Sequence, residues 1–302
     1  MPTFSINSCP ICECKDMSII GRTKRGIVPF EIPNNSNIVK CNNCYLIYVN
    51  PMPIWTENDF SLLYSKEYFE KTPHSKAWLD IRANKNTKER FERIKKYLLA
   101  NSRECLEIGS GIFALMCRFL LKQGWSVTAH EPSRELCESL KYLYPELYTI
   151  NTEFGLLPEN KKYALLYADS VFEHVHNPLE YIKKSADLLE KGGILYFVSP
   201  NEHSFSNFLF NFIGKFKSKD AHYLSPYSAP YHLIGFSRKS IEIIGEKAGL
   251  SLKGFIKRYD YTWYHVLNKY KTYLIGYPMA AFFYFIDFIG YGNNIEIIYY
   301  KN

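Results

Sequence analysis

Five of the eight cysteines, at positions 9, 12, 14, 41 and 44, fall within the first 44 residues. Cys9 and Cys12 form one CxxC and Cys41 and Cys44 form another. Two such pairs supply four thiolates to a tetrahedral cation with metal–sulfur distances of about 2.3 Å. CPICECK and KCNNCYLIYVNP read as turns followed by short strands, so residues 1–50 are predicted to form a zinc ribbon closing a 28-residue loop. Four cysteines leave no open coordination position, which makes this a structural zinc and not a catalytic one. Paired disulfides are the competing reading; the absence of an apolar leader at the start of the chain weighs against it. Cys14 is read as a bystander, and Cys105, Cys117 and Cys137 as buried apolar side chains.

A second stretch, CLEIGSGIFALM at 105–116, reads as a strand, a glycine turn and a helix. Gly109 and Gly111 lack the Cβ that would hold a small molecule away from the backbone. With Ala114 the segment also fits GxGxxA, so alone it does not separate a nicotinamide from other adenosine ligands. Glu107 lies two residues before Gly109, and Glu131 ends the next strand 22 residues beyond it, where a carboxylate can accept both hydroxyls of a ribose. Gly109, Ser110 and Gly111 would carry the rest of the ligand past the backbone.

These residues need a frame, and the remaining pattern supplies one. After the ribbon, residues 51–100 hold an aromatic-rich connector and a leading helix in NKNTKERFERIKKYLLA. From 104 the chain alternates: strand ECLEIG, helix 112–123, strand SVTAHE, helix 133–142, strands LYTI and YALLYA, helix 178–190 and strand GILYFVSP. Ser237 is set to cap a late helix that stops at Gly249, followed by strands near 251–258 and at NIEIIYY. Alternating strands and helices imply a mainly parallel sheet covered on both faces, an α/β domain spanning residues 101–302. Its insertion at about 201–236 is expected to act as a lid.

Composition narrows the class. The 302 residues are 47% apolar, with Lys and Arg exceeding Asp and Glu by 37 to 30 for a formal charge of +7, accompanied by 25 Tyr and 21 Phe. The excess suits an anionic small substrate. Charges in the ribbon are few and mixed, so no nucleic-acid partner is expected. The most apolar stretch, YLIGYPMAAFFYFI at 273–286, has 14 uncharged residues against the roughly 20 needed to span a bilayer. It reads as a core or subunit-interface helix beginning near Pro278, and a homodimer is left open. A cytoplasmic location is expected.

LEIGSG and HEPS together resemble the first motif and the ribose-binding strand end of class I S-adenosylmethionine-dependent methyltransferases. The likeness continues through YADSVFEHVHNPLEYIKKSADLLEKGGILYFVSPN and YHLIGFSRKSIEIIGEKAGL, and the ribbon followed by YVNP is similar to a subgroup with an N-terminal zinc domain. The resemblance implies a Rossmann-like seven-stranded sheet, S-adenosylmethionine as cofactor, and Glu107, Gly109, Ser110, Gly111, Glu131, Pro132 and Asp169 as its binding residues. Phe113 replaces a third glycine, and Ala164 replaces an acid, leaving Asn151 to Glu153 as candidates for adenine recognition. Sugar C-methyltransferases of the ribbon subgroup are similar, but their tyrosine and glutamate are replaced by Ala229 and Tyr231 before His232. This favours an oxygen or nitrogen acceptor over carbon, on a sugar, nucleotide sugar or surface-glycan precursor. Among eight histidines, His174 follows the fourth strand while His203, His222 and His232 flank the insertion. His232 is the first choice for a general base and His174 the second. The rivals are a nicotinamide-dependent sugar oxidoreductase and a nucleic-acid reader using the ribbon.

Overall fold

The computed structural model describes residues 3–22, 36–54, 86–205, 207–209, 211–212, 232–258, 278, 281–282, 285–286 and 288–302. Among the described residues five strands precede the first helix: β1 Thr3–Phe4, β2 Met17–Arg22, β3 Asn37–Cys41, β4 Ile47–Asn50 and β5 Met52–Pro53. They are followed by α1 Thr87–Ile94, β6 Glu104–Ile108, α2 Leu115–Leu121, β7 Ser126–His130, α3 Arg134–Leu143, β8 Tyr148–Ile150 and β9 Tyr163–Asp169. The chain continues with α4 Pro178–Leu188, β10 Leu189–Pro200, β11 Ile234–Gly235, α5 Arg238–Lys247, β12 Leu250–Arg258 and β13 Asn294–Lys301.

Seven of these strands form one sheet in the order β12-β13-β10-β9-β6-β7-β8, in which β13 runs antiparallel to both its neighbours and the pairs from β10 to β8 are parallel. The chain winds from β6 out to β8 and then crosses back to β9, so the order reverses between β6 and β9. Open sheets of this kind take their ligands at that crevice, beyond the carboxyl ends of the strands.

The period-2 alternation of β10 explains the two layers. Ile194, Tyr196 and Val198 share a core with Met116, Cys117 and Leu120 of α2, while Leu195 and Phe197 face Ile182 of α4 and Ile241 of α5. Helix starts follow side-chain chemistry. Ser133 and Asn177 accept N–H bonds from Leu136 and Glu180, Pro178 sits at the first turn of α4, and Ser237 with Ser240 closes a capping box on α5.

Two helices are shorter than predicted. Helix 112–123 begins only at Leu115, because Gly111 and Ala114 both lie at positive φ and hold the chain in a turn. Helix 178–190 ends at Leu188, since Leu189 already pairs with Tyr163 as the first residue of β10. The leading helix occupies eight residues, Thr87–Ile94, of the segment 84–100. The connector at 55–85, most of the expected lid with His222, and most of the apolar stretch 273–286 lie outside the described residues.

The ribbon is continuous with the larger unit. Its strands form a four-stranded sheet in the order β11-β4-β3-β2, whose outer strand β11 comes from beyond residue 231. Ile234 and Gly235 pair with Tyr48 and Ile47, and Val49 N–H donates to Leu233 O at 3.0 Å. Cys9, Ile11, Leu46 and Tyr48 are buried in one core with Leu233, Phe236 and Ile241. Ser237 Oγ donates to Cys44 O, Lys239 Nζ to Asn43 Oδ1 at 3.0 Å, and Lys247 Nζ to Glu13 Oε1 at 2.6 Å.

Candidate functional site

The glycine turn opens at the carboxyl end of β6. Gly109 has φ +62°, and a Cβ there would stand 2.8 Å from Val171 Cγ2, so a side chain is excluded both by backbone conformation and by space. Ser110 N–H donates to His130 O at 3.0 Å, which fastens the turn to the end of β7. Glu107 is buried, and its Oε2 accepts the Cys117 N–H at 2.8 Å. That amide is one of the unpaired donors of the first turn of α2, so Glu107 braces the helix behind the turn. Burial raises its pKa to about 7, opposed by the amides of Cys117 and Met116.

Glu131 closes the other side. Its Oε2 accepts from Gly111 N–H at 2.8 Å and its Oε1 from Ser133 N–H at 2.8 Å, tying the glycine turn to the start of α3. Each carboxylate oxygen retains a lone pair for a further donor. Burial raises the pKa of Glu131 to about 7 against the pull of these two amides. Pro132 lies between them, and Asn151 Nδ2 donates to the carbonyls of Glu131 and Pro132 at 2.9 Å each. Asn151 is therefore engaged in holding the strand ends together. His130 Nε2 lies 2.8 Å from Thr152 O, and burial lowers its pKa to about 4, so the neutral imidazole donates through Nε2. Phe154 stacks on Tyr181 with ring centroids 5.2 Å apart, closing the edge beside Glu153.

At the end of β9, Asp169 pairs with Arg90 of α1, whose Nη1 lies 2.7 Å from Asp169 Oδ2 and 2.7 Å from the Tyr167 hydroxyl. Asp169 thus anchors the leading helix to the strand next to β6. Arg90 escapes sequence reasoning, because a lone arginine on a charged helix carries no pattern of its own.

Beyond Asp169 the chain turns through Glu173 and His174, which meet His232 returning from beyond the insertion. The ligand atoms of these three side chains all lie within 4.8 Å of one another. The two imidazoles stand edge to face with centroids 4.8 Å apart, and His174 Nε2 is 3.9 Å from Glu173 Oε1. The peptide oxygen of Glu173 accepts the N–H groups of both Leu233 and Ile234, which draws His232 in beside it. Neither carboxylate oxygen of Glu173 accepts a hydrogen bond of ordinary geometry from the described residues. Burial raises its pKa to about 8, and burial with the neighbouring His174 holds His232 well below the usual imidazole range. His203, by contrast, is exposed outside this cluster.

At the opposite end of the ribbon the four predicted cysteines converge. Cys9 and Cys44 sulfurs are 3.5 Å apart, as are those of Cys12 and Cys41, and the four lie within 4.8 Å of one another. Sulfurs around a tetrahedral ion at 2.3 Å would stand about 3.8 Å apart, so the donor set fits a thiophilic dication. The two knuckles share one backbone design. Cys9 N–H bonds to Cys14 O and Glu13 N–H to Cys9 O, while Cys41 N–H bonds to Leu46 O and Tyr45 N–H to Cys41 O. Glu13 and Tyr45 accordingly share φ near +60°. Cys14 Sγ instead lies 3.9 Å from Asp16 O, outside the four. The Cys44 thiol lowers the Cys9 pKa to about 5, while the same bond and burial push Cys44 up.

A search of curated protein sequences finds no match. The fold is similar to that of magnesium protoporphyrin IX methyltransferase from Synechocystis PCC 6803, solved with bound SAH, at 10% identity over 82% of this chain and 99% of that one, with a TM-score of 0.53. It is also similar to geranyl diphosphate C-methyltransferase from Streptomyces coelicolor A3(2), solved with Mg2+, geranyl diphosphate and S-adenosyl-L-homocysteine, at 10% identity over 79% and 89% of the two chains, with a TM-score of 0.50. At these identities the likeness is one of fold. Residues 69–253, more than half of the chain, match a family described as methyltransferase domain, and they span the glycine turn, Glu131 and the Glu173–His174–His232 cluster: the chain belongs to that family.

Proposed function

We propose that the protein transfers a methyl group from S-adenosylmethionine to an oxygen or nitrogen of an anionic small molecule, such as a sugar, nucleotide sugar or surface-glycan precursor. The observation that carries the cofactor assignment is Glu131, buried at the end of β7 and bonded to Gly111 N–H. A carboxylate so placed accepts the hydroxyls of a ribose while the bare backbone of Gly109 and Gly111 passes the remainder of the ligand. Glu107 and Asp169 support the pocket from behind, through Cys117 N–H and Arg90.

When bound, S-adenosylmethionine supplies an electrophilic methyl on a sulfonium. The chain's own work is then to align an acceptor with it and to exclude water. Val171, in van der Waals contact range of the space beside Gly109, links the turn to the His174 segment, so acceptor chemistry is assigned to His174 and His232. His232, set edge to face against His174 and drawn in by the Glu173 peptide oxygen, is on its position the favoured proton acceptor for a hydroxyl or amine. The four cysteines hold a structural zinc that fixes the ribbon. The formal charge of +7 supports an anionic acceptor, drawn in by the long-range field.

The test is calorimetry of the purified chain with S-adenosylmethionine, NAD and a short oligonucleotide added separately. Heat of binding is expected from S-adenosylmethionine alone. Tight NAD binding without a response to S-adenosylmethionine would place the chain's chemistry elsewhere.

A further inference from the structure

We infer that Glu173, His174 and His232 form a second cation site, distinct from the cysteine cluster, which binds a divalent first-row transition metal and through it the acceptor oxygen. This inference deepens the methyltransferase reading and rests on it. Three observations carry it. First, one carboxylate and two imidazoles converge with all their ligand atoms within 4.8 Å. Ligand atoms about 2.0–2.2 Å from a shared ion stand roughly 3–3.5 Å apart, so small side-chain rotations close the set.

Second, Glu173 is fully buried, yet neither of its oxygens accepts a hydrogen bond of ordinary geometry from the described residues. A carboxyl group buried in this way gives up its proton only where something cationic stands beside the charge, which is the service a bound dication supplies. Third, the backbone is built to bring His232 here. Leu233 and Ile234 both donate to Glu173 O, and β11 locks the same segment onto β4 of the ribbon. The position is suited to methyl transfer. His174 N–H donates to Val171 O, and Val171 is the residue that crowds Gly109. The cluster therefore lies one residue contact away from the glycine turn.

Two imidazoles and a carboxylate suit Mn, Fe, Co or Zn, and three protein ligands leave coordination positions open. An acceptor that fills two of them has its reactive hydroxyl next to a second oxygen, as in a vicinal diol or a hydroxy-carbonyl compound. The cation lowers the pKa of the bound hydroxyl, whose proton passes to water. The alkoxide oxygen then forms its bond to the methyl carbon as the carbon–sulfur bond breaks, and the sulfur keeps that electron pair to become a neutral thioether. With the cation in place His232 and His174 are ligands, so the direct proton acceptance assigned to His232 is replaced by activation of the hydroxyl through the ion.

The test uses protein already loaded with zinc at the cysteine site, titrated with Mn2+ and followed by electron paramagnetic resonance of the free ion. About one Mn2+ per chain is expected to bind. Glu173→Gln, His174→Ala and His232→Ala are each expected to weaken it at least tenfold, and S-adenosylmethionine calorimetry on each variant reports whether the fold is kept. Should the buried Glu173→Gln protein fail to bind S-adenosylmethionine, the two histidine variants decide. Absence of Mn2+ uptake by a wild type that binds S-adenosylmethionine overturns the cation site alone, as does uptake unchanged in all three variants. Mn2+ uptake by a wild type that does not bind S-adenosylmethionine overturns the proposed reaction and the acceptor role with it.

Discussion

Replacement of Glu131 by glutamine tests the cofactor site at its most constrained point. In the wild type the carboxylate accepts Gly111 N–H and Ser133 N–H at 2.8 Å each, one per oxygen. Glutamine keeps one acceptor and presents an NH2 group to the other amide, so one charge-assisted bond to a ribose hydroxyl is lost, about 1.5–3 kcal/mol or roughly 10- to 150-fold in affinity. The pH dependence is the sharper signature. Burial raises the Glu131 pKa from 4.5 to about 7, so the folded protein without ligand holds a proton that the unfolded chain releases near 4.5. The sign follows from linkage. Folding is favoured by this group below about 4.5, and that contribution, about 3 kcal/mol for a rise from 4.5 to about 7, is lost as pH rises through 7.

A ribose binding to the ionised carboxylate must displace that proton. Affinity for S-adenosylmethionine should therefore be nearly constant above pH 8 and fall about tenfold by pH 6. Calorimetry at pH 6 in two buffers of different ionisation heat should report close to one proton released per cofactor. Glu131→Gln should abolish both the slope and the proton release. Retention of the wild-type pH slope in that variant would show that Glu131 does not contact the ribose, and Glu107, whose pKa is also raised to about 7, would be the next group to examine.

Four other outcomes are expected. Elemental analysis should give about one zinc per chain, lost in a double Cys41→Ser, Cys44→Ser variant, and chelation should speed hydrogen exchange at Leu233 and Ile234 through the β4–β11 pair while leaving S-adenosylmethionine affinity nearly intact. Gly109→Ala should destabilise by about 1–3 kcal/mol, because its φ of +62° costs an L residue about 1–2 kcal/mol and Val171 must give way; adding Val171→Ala should recover only the steric part in thermal unfolding. Arg90→Ala should cost about 3 kcal/mol in denaturant unfolding by removing the cation paired with Asp169, whereas loss of under 0.5 kcal/mol would mean the pair is solvent-screened. Once an acceptor is known, His232→Ala should lower turnover by about 10² to 10⁴ with little change in cofactor binding, and full activity would move the acceptor chemistry away from this cluster.

What the sequence disclosed, and what it withheld, divides by the range of the interactions. The CxxC pairs, the glycine turn and the cap at Ser237 are local designs, in which residue type and spacing over a few positions dictate backbone geometry. Of the two boundaries that shifted, one moved because tertiary pairing overrode a local preference, Leu189 leaving its helix for the strand partner Tyr163, and the other because Gly111 and Ala114 hold the chain at positive φ up to Leu115. Glu173, Arg90 and the β4–β11 pairing carried no local signature. Glu173 and His174 are sequence neighbours within an EHV turn, but their partner His232 is 58 positions further on, and only the fold of the sheet brings it back.

The same long-range pairing gives the ribbon a structural reason to be part of this chain. A two-residue strand such as Ile234–Gly235 cannot hold its own register. Pinned between Tyr48 and Ile47 on one side and the Glu173 peptide oxygen on the other, it fixes where His232 stands. The cysteine cluster rigidifies β3 and β4, β4 sets β11, and β11 sets the imidazole. An ion held by the four cysteines would in this way be coupled through backbone hydrogen bonds to the proposed acceptor side, and its removal should be felt on acceptor binding before it is felt on the cofactor.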